Sequence, residues 1–411
     1  MKRYLPFVLS LAFALCHAHG QYGAPKDDSD DKEQAQAPEE IPDFNNLDEY
    51  TYQPKSTLNY GLRFMAGPKV KFGGSGNVVA PSIESVTDLN TPNIYRIYHD
   101  GAVDPDGRTL AIGTGSGTGN VPAGGDGKTN TWTYTDPTQL TSDDFMQMHS
   151  YSAKVTSIDP LGITAKSGMG AELFNAMDMG KLGKHMKWSI FGGVSLSGIN
   201  GATYTNENAT MTTITDTYNL FGQTPGAATP GAPYSSPSTT TDTITTSGGS
   251  TETATVNSST LISNTPVERD ITTSQVFVTD HFKLSGEYFT IRGGPQLEYD
   301  FTEHLKALVS VGPALVYAGT NLTATEVLVP TTGLPIVDNI GDGTSVFRLG
   351  EYADATLEYD LTDTTGFYFG AFYQNAGTYT EHIYDPYGSN YSSNVNLNDQ
   401  QGLRTGMSYR F

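Results

Sequence analysis

The sequence has little cysteine, no long apolar run and few positive charges. Its 411 residues include one cysteine, Cys16, so the chain cannot form an internal disulfide. No segment reaches the ~20 apolar residues of a membrane-spanning helix, so any crossing of a bilayer must use strands. Lysine and arginine number 23 against 44 acidic residues. The resulting net charge of -21 argues against nucleic acid as a partner.

Glycine, threonine and tyrosine are abundant instead. The chain contains 45 glycines, and only 16% of its residues are charged. This composition is typical of an all-β chain with many turns rather than of a helical one.

Residues 1–20 have the pattern of a secretory signal peptide. A lysine-arginine pair precedes an apolar stretch that ends at Cys16, and small residues follow it near position 20. A membrane anchor is one alternative, although the run is shorter than a spanning helix. A lipid-modified Cys16 is another, and the bulky Leu15 before it argues against that site. Residues 21–56 are acidic and poor in apolar side chains, which predicts a disordered periplasmic leader.

From residue 58 onward, apolar side chains alternate with polar or small ones. Successive strand residues point to opposite faces, so each such segment has one apolar and one polar face. Eight segments follow this pattern: 58–72, 161–179, 186–204, 284–300, one beginning at Leu305, 346–360, one beginning at Phe367, and 401–411. Repeated alternation of this kind is the signature of a transmembrane β-barrel. An aromatic stripe inside a soluble sandwich is the alternative.

The last segment carries the most specific motif. Leu403, Met407, Tyr409 and Phe411 lie on one face, and the chain ends on the aromatic residue. In this respect the sequence resembles bacterial outer-membrane β-barrels, whose closing strand commonly ends on such a phenylalanine. In its predicted architecture the chain is similar to small outer-membrane barrels of the OmpA/OmpX type, with no residue-level match to a named member. The resemblance implies a cell outer-membrane location in a Gram-negative-type envelope, contact with outer-membrane lipid, and insertion by the barrel-assembly machinery through the C-terminal strand.

The connections alternate between short and long. Short links follow the second, fourth and sixth segments, whereas the long ones are 74–160, 206–281, 323–345 and 384–399. This asymmetry favours periplasmic turns and extracellular loops. The motif Leu-Glu-Tyr-Asp at 297–300 recurs at 357–360, each time before a short turn, and supports the strand count. Residues 57–411 are therefore predicted to form an eight-stranded antiparallel up-and-down transmembrane β-barrel.

Charged side chains dominate the predicted inner face. Barrels of eight strands have an interior just wide enough for side chains to fill it. Buried charges of both signs must pair, because desolvation of each lone charge costs several kcal/mol. The sequence therefore predicts a salt-bridged plug, with a narrow ion path as the alternative. The predicted network comprises Arg63, Lys69, Lys166, Glu172, Lys187, Arg292, Glu298, Arg348, Asp354, Glu358, Arg404 and Arg410.

Evidence for catalysis or metal binding is weak. Acidic loops readily produce pairs such as His99-Asp100, Asp143-Asp144 and Asp280-His281, and nothing in the sequence shows that these pairs or His382 converge. Residues 100–107 miss the spacing of a calcium loop. We expect no enzyme activity, no cofactor and no metal, and a hydrolase or acyltransferase is the alternative.

The long loops offer exposed surface instead. Residues 238–260 are mostly serine, threonine and glycine, a composition that cannot form a packed core. Binding residues are often placed on loops that a rigid scaffold supports. The sequence therefore predicts a structural or surface-interaction scaffold that displays acidic loops, with an unidentified extracellular ligand. Porin-like passage of small solutes or ions is the alternative.

Overall fold

The computed structural model describes residues 56–79, 94–103, 109–114, 117–122, 128–129, 132–225, 239–245, 251–257, 262–331 and 334–411. The predicted signal peptide and nearly all of the predicted leader lie outside these residues. In the described part of the chain, no helix has the length and apolar character needed to cross a membrane.

Within the described ranges, strands make up almost all of the regular structure, and a short 3-10 turn lies at Pro137–Gln139. In chain order the strands are β1 (Ser56–Met65), β2 (Lys69–Val79), β3 (Arg96–Tyr98), β4 (Gly101–Val103), β5 (Thr109–Thr114), β6 (Gly117–Pro122), β7 (Lys128–Thr129), β8 (Trp132–Tyr134), β9 (Phe145–Thr164), β10 (Gly168–Lys181), β11 (Met186–Asn219), β12 (Thr239–Thr245), β13 (Thr251–Asn257), β14 (Ile262–Ser263), β15 (Glu268–Asp300), β16 (Leu305–Leu328), β17 (Ile336–Asp360), β18 (Thr365–Asn375), β19 (Thr378–Tyr384), β20 (Asn390–Asn396) and β21 (Gln400–Arg410).

The main sheet contains a closed cycle of strands, which we call the ring. Its order is β10, β1, β21, β18, β17, β16, β15, β11 and back to β10, with every pair antiparallel. Tight connections at 182–185, 301–304 and 361–364 mark one end of it, the turn end. The predicted all-β antiparallel class is confirmed. The predicted count of eight strands is not confirmed, because the sheet that contains the ring has twelve strands in all.

The other four strands of this sheet form an extension at the opposite end of the ring. β9 pairs with β11, β2 with β9, β20 with β2, and β19 with β20. The remaining wall is made by β11, β15, β16 and β17, which are 34, 33, 24 and 25 residues long and continue past the ring.

The two faces of these long strands exchange character where the ring meets the extension. In the ring part of β15, Leu297 and Tyr299 point outward and are 44% and 45% exposed, whereas Arg292 is buried inside. In the extension part, Phe282 is fully buried inside and Lys283 is exposed outside. The ring is therefore apolar outside and polar inside, and the extension is the reverse.

Apolar side chains fill most of the interior of the extension. One hydrophobic cluster includes Phe72, Tyr151, Phe282, Leu322 and Tyr391 from five different strands. A smaller three-stranded sheet, β3-β4-β8, covers part of β9 from outside through a second cluster. The extension thus has the packed core of a soluble β-structure.

The first predicted strand, 58–72, is wrong in one respect: it is two strands, and the face that points inward changes between them. β1 ends at Met65 and β2 begins at Lys69. Val70 and Phe72 are buried and Lys69 is exposed, opposite to the prediction. The three residues between the strands shift the alternation by one position. Gly67 allows the bend, because a Cβ there would lie 1.7 Å from the carbonyl oxygen of Ala165.

The predicted second and seventh segments are interrupted in the same way, between β9 and β10 and between β18 and β19. Three loop boundaries are also corrected. β11 and β15 extend through most of the flanks of 206–281, β16 and β17 leave only 329–335 between them, and β20 occupies the middle of 384–399. These segments were predicted as loops because their outward residues are polar, which marks the extension rather than the end of a strand.

Candidate functional site

Five charged side chains from five ring strands meet in the middle of the ring, and we call them the central cluster. They are Arg63, Glu172, Arg292, Asp354 and Arg404, each 1–6% exposed. Each sits at an inward position of its strand, which is why the alternation of the sequence brings them together.

Glu172 contacts two of the three arginines of the central cluster. Its Oε2 lies 2.7 Å from Arg292 Nη2, and its Oε1 lies 2.9 Å from Arg404 Nε. Tyr368 donates a further hydrogen bond to Oε1 at 2.9 Å. Arg404 also forms an ion pair with Asp354, with Nη1 3.0 Å from Oδ2. Removing this carboxylate would leave the buried Arg292 without its ion pair and Arg404 with Asp354 alone, a loss that typically costs about 3–5 kcal/mol.

Aromatic rings lie against the faces of the three guanidinium groups. The Arg63 Cζ is 3.8 Å from the Phe372 ring centroid, the Arg292 Cζ is 4.5 Å from that of Tyr352, and the Arg404 Cζ is 4.4 Å from that of Phe174. Stacking of this kind stabilises a buried cation by about 0.5–2 kcal/mol. The middle of the ring is therefore filled by side chains.

A second group of charges, the turn-end cluster, lies closer to the tight connections. Lys187 Nζ is 3.1 Å from Glu298 Oε1 and 3.0 Å from Asp300 Oδ2. Arg410 contacts Asp360 and Glu358, the latter at 2.6 Å. Lys306 Nζ lies between Glu298, Glu358 and Asp360 at 3.4–3.9 Å. The cluster borders a cavity of about 520 Å³ that none of the central-cluster residues lines.

Three members of the predicted network, Lys69, Lys166 and Arg348, belong to neither the central cluster nor the turn-end cluster. Lys69 belongs to the extension and is exposed, as is Lys166, which lies between β9 and β10. Both were placed inward by continuing an alternation that the bends interrupt. Arg348 points inward but makes no ion pair among the described residues.

Asp300, Lys306 and Asp360 were not in the predicted network, although they contribute to the turn-end cluster. For the two aspartates the repeated Leu-Glu-Tyr-Asp motif was the available signal, because its glutamate and aspartate are two residues apart and share one face of the strand. The proposed C-terminal insertion residues Leu403, Met407, Tyr409 and Phe411 are 48%, 36%, 49% and 50% exposed on the outer face. Their role in assembly stays a prediction.

The extension contains an acidic site that the sequence did not reveal. Asp280 and Glu326 are fully buried and lie directly opposite each other on β15 and β16. Burial raises the pKa of Asp280 to about 8, and the nearby carboxylates of Glu326 and Glu207 contribute to the shift. Burial also raises the pKa of Glu326 to about 7. The sequence assigned Asp280 to a loop, so its burial could not be foreseen.

The histidine-acid pairs do not assemble into one site. Asp280 points into the extension whereas His281 stacks on Tyr204 at a centroid distance of 4.1 Å, on the outer face. Asp100 contacts His149 instead of His99, with 2.5 Å from Oδ2 to Nδ1.

The remaining candidates also lie apart. Asp144 accepts a hydrogen bond from Gly222, Asp143 is exposed, and His382 stacks on Tyr384. Residues 104–107 of the possible calcium loop lie outside the described residues. Among the residues that are described, no three His, Cys, Asp or Glu side chains are placed to hold a metal ion.

No protein-family model matches the chain. No curated protein matches it either. Its structural neighbours are outer-membrane β-barrel proteins. The outer membrane protease OmpT of Escherichia coli matches with a TM-score of 0.27 and 8% identity, over 88% of this chain and 98% of that one.

The toluene transporter TodX of Pseudomonas putida matches with a TM-score of 0.16 and 7% identity, over 90% of this chain and 93% of that one. For a FadL homologue of Pseudomonas aeruginosa these values are 0.15, 9%, 90% and 93%. At such low TM-scores the similarities do not bear on the activity of this chain.

Proposed function

We propose that the chain is an outer-membrane scaffold whose ring crosses the lipid as an eight-stranded barrel and whose extension stands outside the cell. The central cluster plugs the lumen, and the extension displays loops at the surface. The observation that carries this proposal is the filled middle of the ring, where Arg63, Glu172 and Arg404 are at most 4% exposed.

The reversal of faces along the long strands supports the membrane position. The outward apolar run of β15 from Phe289 to Tyr299 has the length of a strand that crosses a bilayer, ~9–11 residues. Beyond it the outer face carries Glu287, Ser285 and Lys283. A lipid boundary near Phe289 accounts for this change, because water contacts the strand above it and hydrocarbon below it.

The packed interior of the extension supports the scaffold role. Val278, Leu322 and Tyr391 are fully buried there, so apolar side chains occupy the space directly above the plugged ring. A rigid body of this kind holds loops in place, and surface recognition is commonly located on loops. Contact with outer-membrane lipid and assembly through the C-terminal strand belong to the same proposal.

Planar-bilayer recording tests the plug. Purified protein that shows heat-modifiable migration on a gel is inserted into a lipid bilayer, and we expect no stable unitary conductance. Porin-like passage is the second candidate, favoured by the cavity of about 520 Å³ at the turn end. Stable channels in the correctly folded protein would support passage and reject the plugged scaffold.

A further inference from the structure

The central cluster contains more positive than negative charge. Three arginines, Arg63, Arg292 and Arg404, face two carboxylates, Glu172 and Asp354. Arg63 is 1% exposed, and in the described part of the chain its one hydrogen bond runs from Nη1 to Ser195 Oγ. Arginine stays protonated in proteins, so this buried charge needs a partner.

Several N–H groups of the same arginines also have no acceptor. These are Nε and Nη2 of Arg63, Nε and Nη1 of Arg292, and Nη2 of Arg404, all shielded from solvent. Buried donors without an acceptor are rare in native proteins, and each one calls for an explanation such as a bound ion or water.

The direction from which a partner can approach is restricted. Phe372, Tyr352 and Phe174 lie against the guanidinium faces. The N–H groups of a guanidinium lie in its plane, so the edges remain available for hydrogen bonding. Arg63 and Arg292 both lie against the Tyr352 ring, with their Cζ atoms 6.0 and 4.5 Å from its centroid, so the two guanidinium groups are neighbours.

Among the described residues, no carboxylate of the neighbouring layers forms an ion pair with Arg63. Towards the turns, Glu298, Asp300, Glu358 and Asp360 pair with the cations of their own layer, Lys187, Lys306 and Arg410. Towards the extension, the inward residue is another cation, Arg348, whose buried Nε is also without an acceptor. Within the part of the chain that the structure describes, the Arg63 guanidinium therefore has no carboxylate in contact with it.

We propose that the edges of Arg63 and Arg292 hold one small monovalent anion, of the chloride class, inside the ring. A single negative charge matches the imbalance of charge within the central cluster, and a halide accepts several N–H bonds without requiring directional lone pairs. Water would accept hydrogen bonds from these N–H groups but would not neutralise the positive charge of the arginines. This anion site goes beyond the scaffold function and does not depend on it, since a conducting ring would have the same imbalance.

The test compares thermal unfolding of the full-length protein in neutral detergent, in sodium chloride and in sodium gluconate of equal ionic strength. Chloride is expected to raise the unfolding temperature of the wild type in a saturable way, by about 2 °C or more. Arg63→Met should remove this chloride-specific shift. Lys69→Met, which removes an exposed cation of the extension, should retain it.

A second measurement does not depend on variants. Crystals grown with sodium bromide should give an anomalous peak within hydrogen-bonding distance of the free edge of Arg63. Equal unfolding temperatures in the two salts would overturn the proposal, and so would a crystal with water or nothing at that edge. Neither result depends on conductance, so failure here is distinct from failure of the plugged scaffold.

Discussion

At the scale of single residues, the extension contains fully buried carboxyl groups, which are uncommon in proteins. Asp280 and Glu326 face each other across two strands, and Asp338 lies opposite Glu326 on the next strand. The other polar groups around them are Glu207, Asp385 and the Tyr391 hydroxyl. All of the ionisable groups are acidic, so protonation is the means by which this site loses charge.

Stability should therefore fall as the pH rises. The pKa of Asp280 is about 8 in the folded protein and about 3.9 in an unfolded chain. Because the folded value is the higher one, its stabilising effect is present below pH ~4 and is lost as the pH approaches 8. We expect the unfolding temperature of the wild type in detergent to decrease between pH 5 and pH 8. Over this range Asp280 should lower the free energy of unfolding by at most roughly 1.4 kcal/mol per pH unit.

Asp280→Asn should flatten that pH dependence, because an amide does not ionise. Asp270→Asn, which changes an exposed carboxylate on the same strand, serves as the matched control and should keep the wild-type slope. Circular dichroism at several pH values gives the comparison. An Asp280→Asn profile as steep as that of the wild type would show that the acid is not buried as described.

At the scale of elements, the alternation of the sequence predicted every strand segment of the ring. Residues such as Leu297 and Val311 are apolar and outward, so the period-two pattern is strong there. It also placed Arg63, Glu172, Arg292 and Arg404 on the inner face, because that pattern fixes the face once the strand is found. These are the parts of the candidate site that sequence alone could provide.

What the pattern could not provide is the position of the bends. A shift of one residue at 66–68 exchanges the two faces, yet β2 still alternates and reads as a continuation of β1. The extension was missed for a related reason. Its strands carry polar residues outside and apolar ones inside, and Thr-rich segments such as 205–217 then read as loops.

The bend at Gly67 can be tested directly. Gly67→Ala places a Cβ 1.7 Å from the Ala165 carbonyl oxygen, so the bend between β1 and β2 and the bend between β9 and β10 must separate locally. We expect a loss of about 1–3 kcal/mol, seen as a lower unfolding temperature. Gly183→Ala at the turn end is the control, since a Cβ there meets no heavy atom within 4 Å. Equal stability of the two variants would contradict the close approach.

At the scale of the whole molecule, the ring and the extension belong to one continuous sheet but place their apolar side chains on opposite faces of it. The extension buries its apolar side chains against one another, and in the proposed membrane position the ring buries its outward apolar side chains against lipid. The proposed position would explain why large apolar side chains such as Leu349 and Phe347 can be 79% and 67% exposed. It also predicts that the same substitution has different effects at two positions of one strand.

Val311 and Asn321 both point outward on β16, the first on the ring and the second on the extension. Val311→Arg would place a charge in the apolar band and should cost about 2–4 kcal/mol in a bilayer. Asn321→Arg would place it in water and should be close to neutral. Folding into lipid vesicles, followed by gel mobility without boiling over a range of urea concentrations, measures both. If Val311→Arg folds as well as Asn321→Arg, lipid does not contact this face of the ring, and the membrane position proposed for it is wrong.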